Sequence, residues 1–427
     1  MSGKALIPVL LLLLAGGGCS FLLRGHSDEV APDPVYRDSL NRVITNALSE
    51  IPDLEPMDQA VDSFMDFWSL HGVSLAIMRN DSLVYAKGYG MADSTTPMTP
   101  GTTLRIASVS KLLTAIGVMK LQEEAKLFLD TPVFGPMGIL GKYDSYIRDD
   151  NYYLITVEHL LRHQAGFTSR GGDPVFSPWT SLDALLRTQL RRPLSYEPGT
   201  WQEYSNFGFL LLSLVIEQVS GQPYEDFMQE HVFEPARCHG FRIGGNYLSE
   251  RHPGETRYYM QPDAEKTRSF DGQYASVEKC YGGNNVSGSL GAGGWTGSAV
   301  ELARMVASID GKGPLEDILL DYSVNQMTNY FDRETFSLGW NDTRPDGEWT
   351  RSGSFSGTQA LVKTYPDGEC WILISNTSSW RGSRFSGNIA DLFRSLRSRY
   401  ESVRKVLLSP ISEQSKKKLC DAGSKGY

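Results

Sequence analysis

Two β-hairpin signals stand far apart in this chain, with mostly helical sequence between them, and that arrangement restricts the fold more than any other feature. "GVSLAIMR" and "SLVYAKGYG" are rich in strand formers and are separated by Asn80 and Asp81, residues suited to a two-residue turn. Near the other end, "TQALVKTY" and "ECWILISN" flank Pro366, Asp367 and Gly368, where a preset φ and a glycine suit a second tight turn. Strands therefore sit at both ends of the domain.

Between them the apolar spacing predicts helices over 108–124, 156–164, 181–190, 206–220 closing at Gly221, and 298–309, the last opening on Ser298 and Glu301 at capping-box spacing. "PMDQAVDSFMDFWSLHG" precedes the first hairpin as an amphipathic helix with Val61, Phe64, Met65 and Trp68 on one stripe. The expected fold class is α+β: a central antiparallel sheet of N- and C-terminal strands, flanked by helices and interrupted by a helical insertion. Residues 240–290 have little periodicity and read as a long irregular excursion beside a cleft.

Export is the expectation for the start of the chain. Lys4 precedes an uncharged stretch from Ala5 to Leu23, and Arg24 follows it. Within it, "LLAGGGCS" resembles a lipoprotein cleavage box, so that Cys19 would carry a lipid and attach the protein to a membrane. An uncleaved anchor competes, since the stretch is near the roughly 20 residues that span a bilayer, but Pro8 and three glycines make it a poor helix. The division expected is a leader or anchor over 1–23, a polar lead over 24–55, one main folded domain over 56–400 and a charged tail over 401–427.

Charge excludes one class of partner. With 41 basic against 50 acidic residues the chain has a net charge of -9, and its basic residues are scattered apart from Lys416, Lys417 and Lys418, so nucleic acid is not expected. Cys238, Cys280, Cys370 and Cys420 are too widely spaced for a zinc site or a disulfide framework.

Chemistry enters with "RIASVSKLLTAIGV". Ser108 and Lys111 are three apart at a helix start, so the amine can reach a hydroxyl that is a poor nucleophile without a base, and burial lowers the lysine pKa. Such pairs also arise by chance: Ser415 and Lys418 match in the tail, without a following apolar helix. "EPGTWQEYSNFGFLLLSLV" adds Tyr204 and Asn206 between a Pro-Gly turn and an apolar helix. A tyrosine beside a cationic lysine is stabilised as phenolate and can take the serine proton; Asn206 can position Lys111, or simply cap the helix. "WTRSGSFSG" puts Arg351, Ser352 and Gly353 on an edge strand, where the N–H of Ser354 can pair with that of Ser108 to hold an oxyanion.

This ordered set, Ser108-x-x-Lys111, Tyr204-x-Asn206 and Arg351-Ser352-Gly353, resembles the penicillin-recognising serine enzymes, closest to class C β-lactamases and the related esterases and D-Ala-D-Ala carboxypeptidases. The segments "ITVEHLLRHQAGF" and "GAGGWTGSAVELARM" extend the resemblance to roughly residues 60–395. It implies a β-lactamase/transpeptidase-like fold, acylation of Ser108, Lys111 and Tyr204 as the proton-handling pair, and Asn206, Arg351, Ser352, Gly353 and Ser354 as substrate contacts. It implies a small ester, amide or peptide substrate and no cofactor. Arg351 departs from the usual lysine or histidine; it cannot shuttle a proton but can hold a substrate carboxylate or support the Tyr204 phenolate. A sensor that keeps the fold and does not turn over is the competing expectation.

His159 and His163 are four apart, but a third metal ligand is not visible, and termination of a helix capped by Thr156 and stopped by Gly166 accounts for them. "GSLGAGGW" lacks the lysine and spacing of a phosphate loop and reads as close backbone packing. Of the aromatics, expected mainly in the core, Trp295, Tyr281 and Trp340 are considered for the pocket wall.

Overall fold

The computed structural model describes residues 55–399 apart from 171, 177–180, 313–314 and 329–335. The expected leader with Cys19, the polar lead up to residue 54, and the tail with Ser415, Lys418 and Cys420 lie outside the described residues.

Helix α1 (Glu55–Trp68) runs into the hairpin β1 (Gly72–Arg79) and β2 (Ser82–Gly90). Asn80 and Asp81 adopt φ of 43° and 61°, as a two-residue primed turn requires. The excursion then holds β3 (Leu104–Arg105), α2 (Ser110–Glu123), α3 (Val157–Leu161), α4 (Leu182–Leu190), α5 (Asn206–Ser220) and α6 (Tyr224–Met228). Short strands β4 (Arg242–Ile243), β5 (Thr267–Arg268), β6 (Ser276–Val277) and β7 (Trp295–Gly297) thread the irregular stretch before α7 (Ala299–Ala307) and α8 (Asp321–Thr328). The chain closes with β8 (Asp342–Thr343), β9 (Trp349–Phe355), β10 (Thr358–Thr364), β11 (Glu369–Ser375) and α9 (Phe385–Arg399).

The central sheet has the order β2-β1-β11-β10-β9-β8 and is antiparallel throughout, so the first and last strand segments meet at its middle, with Leu75 opposite Leu373. Side chains alternate between its faces. Ala76, Met78, Ala360, Val362, Ile372 and Ile374 join the helical insertion in one large core. Val73, Leu75, Ile77, Leu361 and Leu373 face the other way, onto Met57, Val61 and Met65 of α1 and Ile389 and Phe393 of α9. The architecture is the expected α+β.

Details differ from expectation where short-range signals compete. The helix expected from 108 begins as a 3-10 turn over Ala107–Val109 before α2. That expected over 156–164 stops at Leu161, because His163 turns left-handed at φ 58°. α9 was not anticipated: it starts without an obvious cap and carries Gly387 in its second half-turn, yet its apolar stripe is fixed by packing. Among the described residues, no helix is long and apolar enough to cross a membrane.

Candidate active site

Ser108 sits in the 3-10 turn, half-buried, directly after Ala107, whose φ of 49° is a strained left-handed conformation for a non-glycine residue. Lys111 lies one turn on, fully buried. Its Nζ donates to Ser108 Oγ at 3.3 Å, to Asn206 Oδ1 at 2.6 Å and to the carbonyl of Ala292, engaging all three of an ammonium's donors. The glycine-rich segment before β7 therefore serves the site through one carbonyl. It approaches α2 so closely that a Cβ on Gly291 would stand 2.3 Å from Thr114 Oγ1.

Tyr204 comes from the turn before α5, its Oη 2.7 Å from Ser108 Oγ. Ser205, not Asn206, caps α5: its Oγ accepts from Gly208 N at 3.1 Å. Asn206 is thus the first helical residue, free to turn its carbonyl towards Lys111 while its Nδ2 donates to Asp173 Oδ2 at 2.7 Å.

The electrostatics follow from burial among fixed charges. Burial pulls the Lys111 pKa down, and the Arg351 cation adds to this against the opposing pull of Tyr204. For Tyr204 burial alone would raise the pKa, but the charges of Lys111 and Arg351 and the hydrogen bonds outweigh it and hold the phenol below its ordinary value.

Of the two roles expected for Arg351, its charge acts on Tyr204 as support of the phenolate requires. Arg351 is 1% exposed, and its Nε and Nη2 donate to the backbone carbonyl of Ser108 at 2.8 and 2.5 Å. One fork of the guanidinium, Nε with Nη2, is turned onto the nucleophile's own peptide. Gly353, on the same face two residues along β9, lies against that turn; a Cβ there would be 2.3 Å from Ile106 O and 3.1 Å from Ser108 N.

Ser352, expected as a substrate contact, turns its side chain to the other face of the sheet. It pairs with Leu361, which belongs to the core on the far side of the sheet, so its side chain faces away from Ser108, and its Oγ donates to Asn341 Oδ1 at 3.1 Å. Ser352 N donates to Asn341 Oδ1 at 2.7 Å and Asn341 N to Thr350 O at 2.9 Å, so alternate residues of β9 turn their peptide groups towards the β8 side. β8 pairs with Trp349 and Thr350 only, leaving the N–H of Ser354 beyond that pairing, one residue from the glycine that touches Ser108.

Two neighbours carried no sequence signal as site residues. Asp173 holds the Asn206 amide. His163 accepts the N–H of Ser205 on Nδ1 at 3.1 Å and that of Glu203 on its carbonyl at 3.0 Å, bracketing Tyr204, and its ring lies 4.6 Å from that phenol. Burial, with Lys111 and Arg351 nearby, holds it well below the usual histidine pKa. His159 is tied to the Thr156 cap and does not meet it. Among the described residues there is no group of three or more metal-ligating side chains. Trp295, Tyr281 and Trp340 are core residues rather than pocket wall: the Trp295 indole donates to Tyr224 Oη at 2.9 Å, Tyr281 Oη accepts Tyr258 N, and Trp340 packs on Trp349.

The description "Beta-lactamase" belongs to the family model that matches residues 57–393. A protein of Escherichia coli O157:H7 provisionally named a D-alanyl-D-alanine carboxypeptidase is 26% identical over 345 residues, covering 73% of this chain and 76% of its own length. An esterase of Burkholderia gladioli is 26% identical over 309 residues, covering 66% of this chain and 77% of its own. The solved D-amino acid amidase of Ochrobactrum anthropi SV3 superposes with a TM-score of 0.62 at 21% identity, over 80% of this chain and 99% of its own.

Proposed function

This chain belongs to the beta-lactamase family and is a hydrolase of that family; on that premise we propose that it is an exported serine hydrolase that cleaves a small ester or amide through an acyl-enzyme on Ser108. The observation that carries the reading is the meeting of hydroxyl, phenol and amine: Tyr204 Oη at 2.7 Å and Lys111 Nζ at 3.3 Å from Ser108 Oγ. Export rests on the leader alone, residues 1–23 with Cys19 as lipid acceptor.

In this mechanism Tyr204, held as phenolate by the two cations, takes the Ser108 proton as Oγ bonds to the substrate carbonyl carbon. The oxyanion forms between the N–H groups of Ser108 and Ser354. Tyr204 returns the proton to the departing alcohol or amine as the scissile bond breaks. Water then repeats the sequence on the acyl-enzyme and restores Ser108. Lys111 stays in place beneath both oxygens, Asn206 keeps it there, and Arg351 fixes the nucleophile's peptide.

The test is covalent labelling by a fluorophosphonate together with turnover of a p-nitrophenyl ester. Both are expected in the native protein and neither in Ser108→Ala with its fold intact. Labelling that survives the substitution refutes the nucleophile; a single stoichiometric burst without turnover identifies a sensor.

A further inference from the structure

Phe355 ends β9, and Phe176 lies in the short turn Pro174–Phe176 of the insertion, so one ring comes from the sheet and the other from the insertion. They meet edge to face with centroids 5.2 Å apart. Each is tied to the nucleophile through its own element. Phe355 projects from the same face of β9 as Arg351 and Gly353, two residues and therefore about 7 Å beyond the glycine that touches Ser108 N. Phe176 follows Asp173, which holds Asn206, which in turn holds Lys111.

Direction along the cleft follows from the proton path. The leaving group must depart beside Tyr204, which is also the end of β9 occupied by Arg351. The acyl group attached to Ser108 then extends the other way, past Gly353 and the Ser354 N–H towards Phe355. We propose that Phe176 and Phe355 together form an aromatic end wall of the acyl pocket, so that the preferred substrates carry a compact apolar acyl group about as long as a butyryl chain. This rests on Ser108 acting as the nucleophile. Apolar edges favour an uncharged acyl group, and the ring contact stops a longer one, where each misplaced methylene costs roughly 10-fold or more.

The experiment measures the rate at which methyl-, butyl- and octylphosphonofluoridates label Ser108, because it reads the pocket without requiring turnover. Serine Oγ bonds to phosphorus, its proton passes to Tyr204, fluoride leaves, and the alkyl group occupies the acyl side. The native protein is expected to react with the octyl reagent at least about tenfold more slowly than with the butyl one. Phe355→Ala and Phe176→Ala are expected to remove most of that octyl-to-butyl difference. Phe355→Leu keeps much of the volume and is expected to fall between; a melting curve on each variant separates loss of fold from loss of wall. Equal chain-length profiles in folded native and alanine proteins overturn the wall and leave the nucleophile standing. No labelling by any reagent overturns the nucleophile and the wall with it.

Discussion

At Lys111 the chain directs all three donors of one ammonium at Ser108, Asn206 and Ala292, and the phenol beside it completes the proton relay. Tyr204→Phe removes the relay without emptying the site, so kcat for ester hydrolysis should fall by about 10² to 10⁴ while the melting temperature barely moves. A fall smaller than that would pass the base role to Lys111 alone. Because Tyr204 and Lys111 both titrate below their ordinary values, the acid limb of kcat/KM is expected below pH 10. Arg351→Met deletes a cation that favours the phenolate and the neutral amine, so both pKa values rise and the limb moves to higher pH; an unmoved limb would mean that the guanidinium acts only on the peptide of Ser108. Ser108, Lys111, Tyr204 and Asn206 were legible because each lies beside a strong helix signal that fixes its place in the chain. The direction of Arg351 was not, since it depends on which face of β9 meets the Ala107–Val109 turn. Asp173 was hidden for a related reason: "GGDPVF" has no period, and only the fold carries it to Asn206.

Elements decide how closely the walls of the cleft approach. The absence of a side chain at Gly353 lets β9 lie on the nucleophile turn, so Gly353→Ala should push the strand outward, cutting kcat/KM far more than it lowers the melting temperature. An active variant would show that the strand can shift without cost. The loop after α7 packs on the β1–β2 turn, where Leu315 N donates to Asp81 Oδ2 at 2.9 Å. Burial and the nearby Asp81 charge push the Asp310 pKa up to about 7, and burial pushes Asp317 up to about 6. Carboxyls raised in the folded state hold extra protons there, so their contribution to stability is lost as pH rises through about 4 to 7. Asp310→Asn should therefore raise the melting temperature more at pH 8 than at pH 5; an equal shift at both would deny the linkage. The two hairpins were legible as elements because their turns are chemically explicit. α9 was not, because a helix beginning in a Ser- and Gly-containing run is held by Phe385, Ile389 and Phe393 against a sheet the local pattern does not reveal.

As a whole molecule, the domain is one sheet with a different core on each face, and the larger core draws side chains from the strands and from the insertion alike. Among the described residues the helices of the insertion share the larger core with the sheet, and only the small cluster of Tyr258, Cys280 and Tyr281 stands apart, so unfolding by denaturant is expected as a single transition in which activity and helical signal disappear together. Two resolved transitions would mean that the insertion is a unit in its own right. Strands at both ends with helices between were enough to anticipate this plan, whereas the burial of Trp295, Tyr281 and Trp340 was not, since aromatic content does not distinguish a cleft from a core. The first and last helices lie together on the face of the sheet opposite the insertion, with Phe64 stacked on Phe385 at 5.7 Å. Whatever is joined to the chain ahead of Glu55 thus starts behind the sheet, while Ser108 opens in front. A tether or fusion partner attached directly at Glu55 is joined on the side of the sheet that holds the first and last helices, away from the insertion and Ser108.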